Sequence, residues 1–255
     1  TERIVLGLGG SATNDGGCGA AAALGVEFLD ETGHAFVPVG GTLGRIAHIR
    51  VENVLPQLRQ AEVVAMCDID NPLCGESGAA AVFAPQKGAD AQTVRLLDSG
   101  LRHLAQVAER DLGVSLLGLS GGGAAGGFGA GSVAFLGAKL QMGIETVLDL
   151  TNFDRLAADA DLVITGEGRL DSQSLRGKVV IGVARRAKEL GVPVAALVGG
   201  SEPSMEAAYA AGVSGIFPIN PYPAPLQEVM PRCGEHLAFA ARNLLHFVES
   251  LRKMP

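Results

Sequence analysis

Residues 161–198, DLVITGEGRLDSQSLRGKVVIGVARRAKELGVPVAALV, decide the fold class. Residues 161–165 form an apolar run of strand length, and 177–190 read as a helix. Gly191-Val192-Pro193 closes that helix and opens a second apolar strand over 194–198. The rhythm continues with a helix over 205–211, a strand over 215–219 and a long closing helix over 226–251. Strands this apolar, alternating with helices, predict a parallel sheet covered on both faces. Three strands are few for such a sheet. The chain opens at Thr1 almost directly inside another apolar run, so residues preceding Thr1 are expected to complete the sheet.

Upstream the pattern changes. Residues 3–8 read as a buried strand, 9–17 as a Gly-rich turn and 18–24 as a short Ala-rich helix. Residues 26–29 and 35–39 form a hairpin pattern around Glu31-Thr32-Gly33, and 45–54 alternates like a further strand. The apolar run 61–67 ends in an acidic turn. Residues 90–112 carry one apolar stripe through Val94, Leu97, Leu101, Leu104, Ala108 and Leu112, the spacing of an amphipathic helix. A helix is also expected over 132–140. The expected fold class is α/β with two domains: a mixed α/β domain over 1–155, and part of a doubly wound parallel α/β domain over 156–255.

Composition narrows the function. The formal net charge is −7, which argues against non-specific binding to nucleic acid or to an anionic membrane surface. There is no tryptophan and there are only two tyrosines, so a surface built on aromatic stacking is not expected. The stretch 112–138 carries no charge, but ten of its residues are glycine, which suits a loop better than a lipid-facing helix. The four cysteines form no CxxC pair and no cluster with the five histidines, so free thiols in a reducing cytoplasm are expected, without structural zinc. The N-terminus shows no basic region followed by an apolar run.

Four segments offer chemistry. The first, Gly7-Leu8-Gly9-Gly10-Ser11-Ala12-Thr13-Asn14-Asp15-Gly16-Gly17, lies between a strand and a helix, where backbone N–H groups receive anions. Ser11, Thr13 and Asn14 add neutral donors. Asp15 beside such a cradle is repulsive to phosphate unless it holds a metal, bonds a hydroxyl or acts as a base; the plainer alternative is a tight turn with Asn14 or Asp15 capping the helix. The spacing Gly7-x-Gly9-x-x-Ala12 also imitates a dinucleotide fingerprint, but a hairpin follows where that unit needs a helix. The second, Asp68-Ile69-Asp70-Asn71-Pro72, suits a hard cation such as Mg²⁺, or is an Asx turn before proline. The third, residues 121–129, holds only small residues and Phe128. It either wraps a nucleotide, lets backbones pack closely, or serves as a hinge. In the fourth, residues 165–178, Glu167 and Asp171 are candidates to hold a metal or orient a hydroxyl. Arg169 and Lys178 are candidates to neutralise phosphate. A solvated loop is the alternative there.

Together these segments resemble class I glycerate kinases. The resemblance rests on GGSATNDGG (9–17), CDIDNPLCG (67–75), FAPQKGA (83–89), GAAGGFGA (123–130) and TGEGRLDSQ (165–173), and it spans essentially the whole chain. It implies ATP- and Mg²⁺-dependent phosphorylation of D-glycerate, with bacterial members generally giving 2-phosphoglycerate. It also implies two α/β domains around a cleft, one flavodoxin-like and only partial here, the other inserted into it. Members begin with a strand and an Asp-Ser-Phe-Lys-Gly-Ser motif that this sequence lacks, so a segment preceding Thr1 is expected to be absent. Val180 stands where many members carry proline.

On this reading Asp15, Asp171 and Lys178 are the catalytic candidates, with Asp15 accepting the proton of the glycerate hydroxyl. Gly10, Ser11, Thr13, Asn14, Gly123, Gly126, Gly127 and Arg169 are the substrate and phosphate binders. Asp68, Asp70 and Glu167 are the metal ligands. Which loop holds ATP, and whether the chain forms a homodimer, stay open. The alternatives are an oxidoreductase using the 7–12 loop and a glycerate- or nucleotide-binding module without turnover.

Overall fold

The structure, a computed structural model, describes residues 2–172, 174–202 and 205–253. It is α/β and divides into two compact units, Thr1–Met142 and Gly143–Pro255. The boundary expected at 155 falls inside the second unit.

In the first unit, β1 (Arg3–Gly7), β5 (Glu62–Met66) and β6 (Lys139–Gln141) form a parallel sheet in the order β1-β5-β6. A separate antiparallel sheet sets β2 (Glu27–Leu29) between β3 (Ala35–Phe36) and β4 (His48–Arg50). The hairpin and strand read from the sequence thus form, each shorter than its apolar run. Around the sheets lie α1 (Cys18–Ala23), α2 (Pro56–Gln60), α3 (Ala79–Phe83), α4 (Ala91–Leu112) and α5 (Ala124–Leu136). Helix α4 starts where the Asp90 carboxylate accepts the Thr93 N–H at 2.7 Å. Its stripe buries Leu97, Leu101, Leu104 and Ala108. The helix expected at 132–140 instead spans Ala124–Leu136, with a left-handed kink at residues 125–127, and stops at Gly137, because Val64, Ala65 and Met66 of β5 pair with residues 139–141 as a strand. Phe28 and Phe135 meet edge to face at 5.5 Å in this core.

The second unit contains α6 (Gly143–Leu150), α7 (Phe153–Ala157), β7 (Val163–Glu167), α8 (Val179–Glu189), β8 (Val194–Val198), α9 (Glu206–Ala211), β9 (Val213–Pro218), α10 (Leu226–Val229) and α11 (Cys233–Arg252). Its sheet is parallel throughout, in the order β7-β8-β9. The central strand is covered on both faces, as its sequence requires: Val194, Ala196 and Val198 join the core with Val180 and Ile181 of α8, while Ala195 and Leu197 pack with Leu244 of α11. The single closing helix expected over 226–251 is interrupted at Met230–Arg232, where Pro231 removes a backbone donor.

Helices α6 and α7 join this unit through Arg186 of α8. Its guanidinium donates to Asp154 at 2.8 and 2.9 Å, Asp149 at 3.0 Å and Glu145 at 3.1 Å. Three partly exposed carboxylates around one part-buried cation repel one another if the cation is removed. Arg186→Met is therefore expected to cost about 2 kcal/mol. Hydrogen exchange of residues 143–157 checks this: protection should fall there first, and unchanged protection would refute the clamp.

Candidate functional site

The first unit gathers its motifs at one sheet edge. Gly7 is the register partner of Met66, so the loops after β1 and β5 leave side by side. This is the carboxyl end of a parallel pair, where ligands bind in open α/β sheets. The start of α5 and the Gly123 before it bind both loops: the Gly16 N–H donates to the Gly126 carbonyl at 3.1 Å, and the Gly123 N–H to the Asn71 carbonyl at 3.0 Å. The glycines of α5 are needed for contact. A Cβ at Gly131 would sit 1.9 Å from the Gly16 oxygen, and one at Gly126, where φ is +66°, 2.1 Å from the Thr13 oxygen. Gly123 and Gly127 are likewise buried in packing contacts. These three glycines shape the loops and do not line the recess beside them. The Gly-rich segment thus packs closely against backbone, and its Ala124 and Ala125 also line the recess.

That recess holds about 310 Å³. Its polar lining is Gly9, Gly10, Ser11, Asp68, Gln86 and Lys87, with Leu8, Met66 and Phe83 as apolar walls. Lys87 received no role from the sequence. It ends a one-turn 3₁₀ helix, Pro85–Lys87, and its Nζ donates to Ser11 Oγ at 2.9 Å and to the Thr13 carbonyl at 2.7 Å. Partial burial lowers its pKa below the ordinary lysine value, and nearby Asp15 opposes that shift. The one sequence signal was the motif 83–89 itself, in which Pro85 and Gly88 bracket a short turn.

The other candidates of this unit separate. Both oxygens of Asp15 are engaged at the start of α1, accepting the N–H groups of Gly17 at 3.0 Å and Gly19 at 3.2 Å. Asp15 does not line the recess; Asp68 does. Thr13 is exposed and takes part through its carbonyl. Asn14 is buried, and neither of its side-chain polar atoms has a hydrogen-bond partner. It lines a neighbouring recess of about 300 Å³ that shares Lys87. Asp70 is exposed on the loop after β5. The Cys67 thiol points inward to the carbonyls of Ile69 and Gly121, and burial raises its pKa, as suits a core thiol.

The second unit presents its own edge. The backbones of β7 and β8 converge, leaving 2.4 Å between a Cβ at Gly166 and the Leu197 oxygen. Beside them lies a mostly apolar recess of about 1050 Å³, with Glu167, Arg169, Ser201 and Asn220 on its wall. Glu167 Oε1 is buried without a hydrogen-bond partner. The Asp171 carboxylate accepts the Ser174 N–H at 3.2 Å and so caps the next turn. Lys178 is the exposed N-cap residue of α8. Gln173 lies outside the described residues. Among the described residues no three His, Cys, Asp or Glu side chains gather into a metal-holding group, and no helix is long and apolar enough to cross a membrane.

Comparison with known proteins agrees with the motif pattern. The profile of the glycerate kinase family matches residues 1–249. The chain is 49% identical over 243 residues to the glycerate kinase of Halalkalibacterium halodurans, covering 95% of this chain and 64% of that protein. It is 40% identical over 242 residues to the glycerate 2-kinase of Escherichia coli, with the same shares of 95% and 64%. A crystal structure from Salmonella typhimurium LT2 bearing the name glycerate kinase 2 superposes with a TM-score of 0.84 at 41% identity, covering 99% of this chain and 66% of that one. The chain thus spans a little under two thirds of the length of the relatives it matches. With its profile match and its motifs in family order, the chain belongs to the glycerate kinase family.

Proposed function

We propose that this chain carries out ATP-dependent phosphorylation of D-glycerate, giving 2-phosphoglycerate. The observation that carries the reading is the first-unit recess, where three family motifs bring Ser11, Asp68, Gln86 and Lys87 together in a volume that admits a three-carbon acid. The name of the Escherichia coli relative favours attack by the 2-hydroxyl. Dependence on ATP suits the reducing cytoplasm that the free cysteines point to.

Phosphoryl transfer asks the protein mainly for positioning and charge neutralisation. The attacking hydroxyl needs a carboxylate within hydrogen-bond reach. Asp15 is the sequence-based expectation for it. Asp68 lines the recess and Asp15 does not, so we assign the proton to Asp68 and, from its bonds to Gly17 and Gly19, the shape of the loop to Asp15. The Ser11 hydroxyl accepts from Lys87 and keeps its own hydrogen to donate to substrate.

In the second unit Arg169 and Lys178 are the cations for the nucleotide phosphates. Mg²⁺ takes one or two carboxylates and leaves its other positions to phosphate and water, so it needs no cluster of three. The partnerless buried oxygen of Glu167 fits it, and Asp70 is the exposed alternative. When bound, Mg²⁺ would neutralise charge on the phosphates.

Phosphorus NMR of a reaction containing full-length protein, ATP, Mg²⁺ and D-glycerate tests the reading. A phosphoglycerate resonance is expected, its proton coupling placing the ester on carbon 2. Saturable glycerate binding with no phosphoglycerate formed would establish the binding module instead.

A further inference from the structure

We infer that Lys87 is the residue that receives the carboxylate of the acceptor substrate in the first-unit recess. The inference deepens the kinase reading and rests on it for the identity of the substrate. Three observations meet at this side chain. Lys87 lines the recess with Gly9, Gly10, Ser11 and Asp68. Its ammonium has three N–H donors, of which two are spent on the Ser11 hydroxyl and the Thr13 carbonyl. Both partners are neutral, and among the described residues no carboxylate stands within ion-pair distance of it. Asp15 acts on this charge from beyond ion-pair distance, so no contacting anion neutralises the partly buried cation, and a structural tether to two neutral acceptors would not require a charge at all.

The mounting is firm as well. The side chain reaches the glycine loop from 74 and 76 residues away in sequence. The turn that carries it is closed by Lys87 N–H to Ala84 and Gly88 N–H to Pro85, at 3.0 Å each. Lys87 therefore sets the loop and offers its remaining N–H to an anion in one geometry. A small oxyanion at this point is either the carboxylate of a hydroxy acid or a phosphate of the nucleotide. Asp68 in the same wall favours the carboxylate, because a group that takes a hydroxyl proton must lie next to the acceptor molecule.

Calorimetry and kinetics on full-length wild type, Lys87→Met and Lys87→Arg separate the cases. Lys87→Met should raise both the Kd and the KM for D-glycerate about 10- to 100-fold, the range for one lost charge-assisted hydrogen bond. The KM for ATP should stay within about threefold. Lys87→Arg should recover most of the loss, which a purely packing role would not predict. Where Lys87→Met does not fold, Lys87→Gln keeps a donor and loses the charge. Glycerate affinity within threefold of wild type in the folded, charge-less variant overturns the inference. A rise in the KM for ATP alone overturns it too, since the anion is then the nucleotide's phosphate. Glycerate binding that depends on Lys87 in a wild type forming no phosphoglycerate sinks the kinase and leaves the carboxylate site standing.

Discussion

Asp68→Asn is expected to lower the turnover of D-glycerate by about 10²- to 10⁴-fold, the usual weight of a general base. Its thermal midpoint should stay within a few degrees of wild type, because the side chain is exposed at the recess wall. Asp15→Asn should behave in the opposite way. An amide keeps one acceptor oxygen but turns an NH₂ toward a backbone N–H, so one of the bonds to Gly17 and Gly19 is lost. The loss of such a cap costs about 1–2 kcal/mol, and turnover should remain within about tenfold. The two variants measured side by side, kcat against midpoint, decide which carboxylate takes the proton. Full turnover in Asp68→Asn with a large fall in Asp15→Asn would return the role to Asp15.

The sequence led to Asp15 for a physical reason. A carboxylate in a phosphate-type loop stands out from its neutral neighbours, and capping is the plainer use of the same residue. The chain path adds the rival that local pattern cannot show, because it brings Asp68 to the recess from a strand that is adjacent in space and distant in sequence. Lys87 was hidden for the same cause. A lysine after Pro85-Gln86 looks like solvated charge until its contact with Ser11 is known.

Other features were legible. Val194–Val198 is apolar between Pro193 and a glycine, and it is the buried central strand. Helix α4 announced itself by its stripe. What local pattern missed was tertiary: the strand Lys139–Gln141 exists because β5 offers it a ladder, and α6 and α7 dock where Arg186 gathers their carboxylates. Pro231 was a readable signal within the run taken as one closing helix.

The second large effect lies in the Gly-rich helix, where the residue type is dictated by a distance. Gly131→Ala would place a methyl carbon 1.9 Å from the Gly16 carbonyl oxygen, and that neighbour is backbone with no rotamer to yield. Helix α5 must then move off the glycine loop, at a cost of about 3 kcal/mol or more. For a unit of this size the midpoint should fall by roughly 10 °C. Gly9→Ala is the contrasting variant, since nothing lies within 4 Å of a Cβ there. Gly9 lines the recess, so its added methyl should leave the midpoint nearly unchanged and raise the KM for glycerate. Thermal denaturation followed by circular dichroism, together with steady-state kinetics, reads both variants. A Gly131→Ala midpoint within 2 °C of wild type would mean that α5 does not clamp the loop. The close approach would then have no part in holding Ser11 against Lys87. The pair separates two uses of glycine: at Gly131 it admits a backbone, and at Gly9 it admits a ligand.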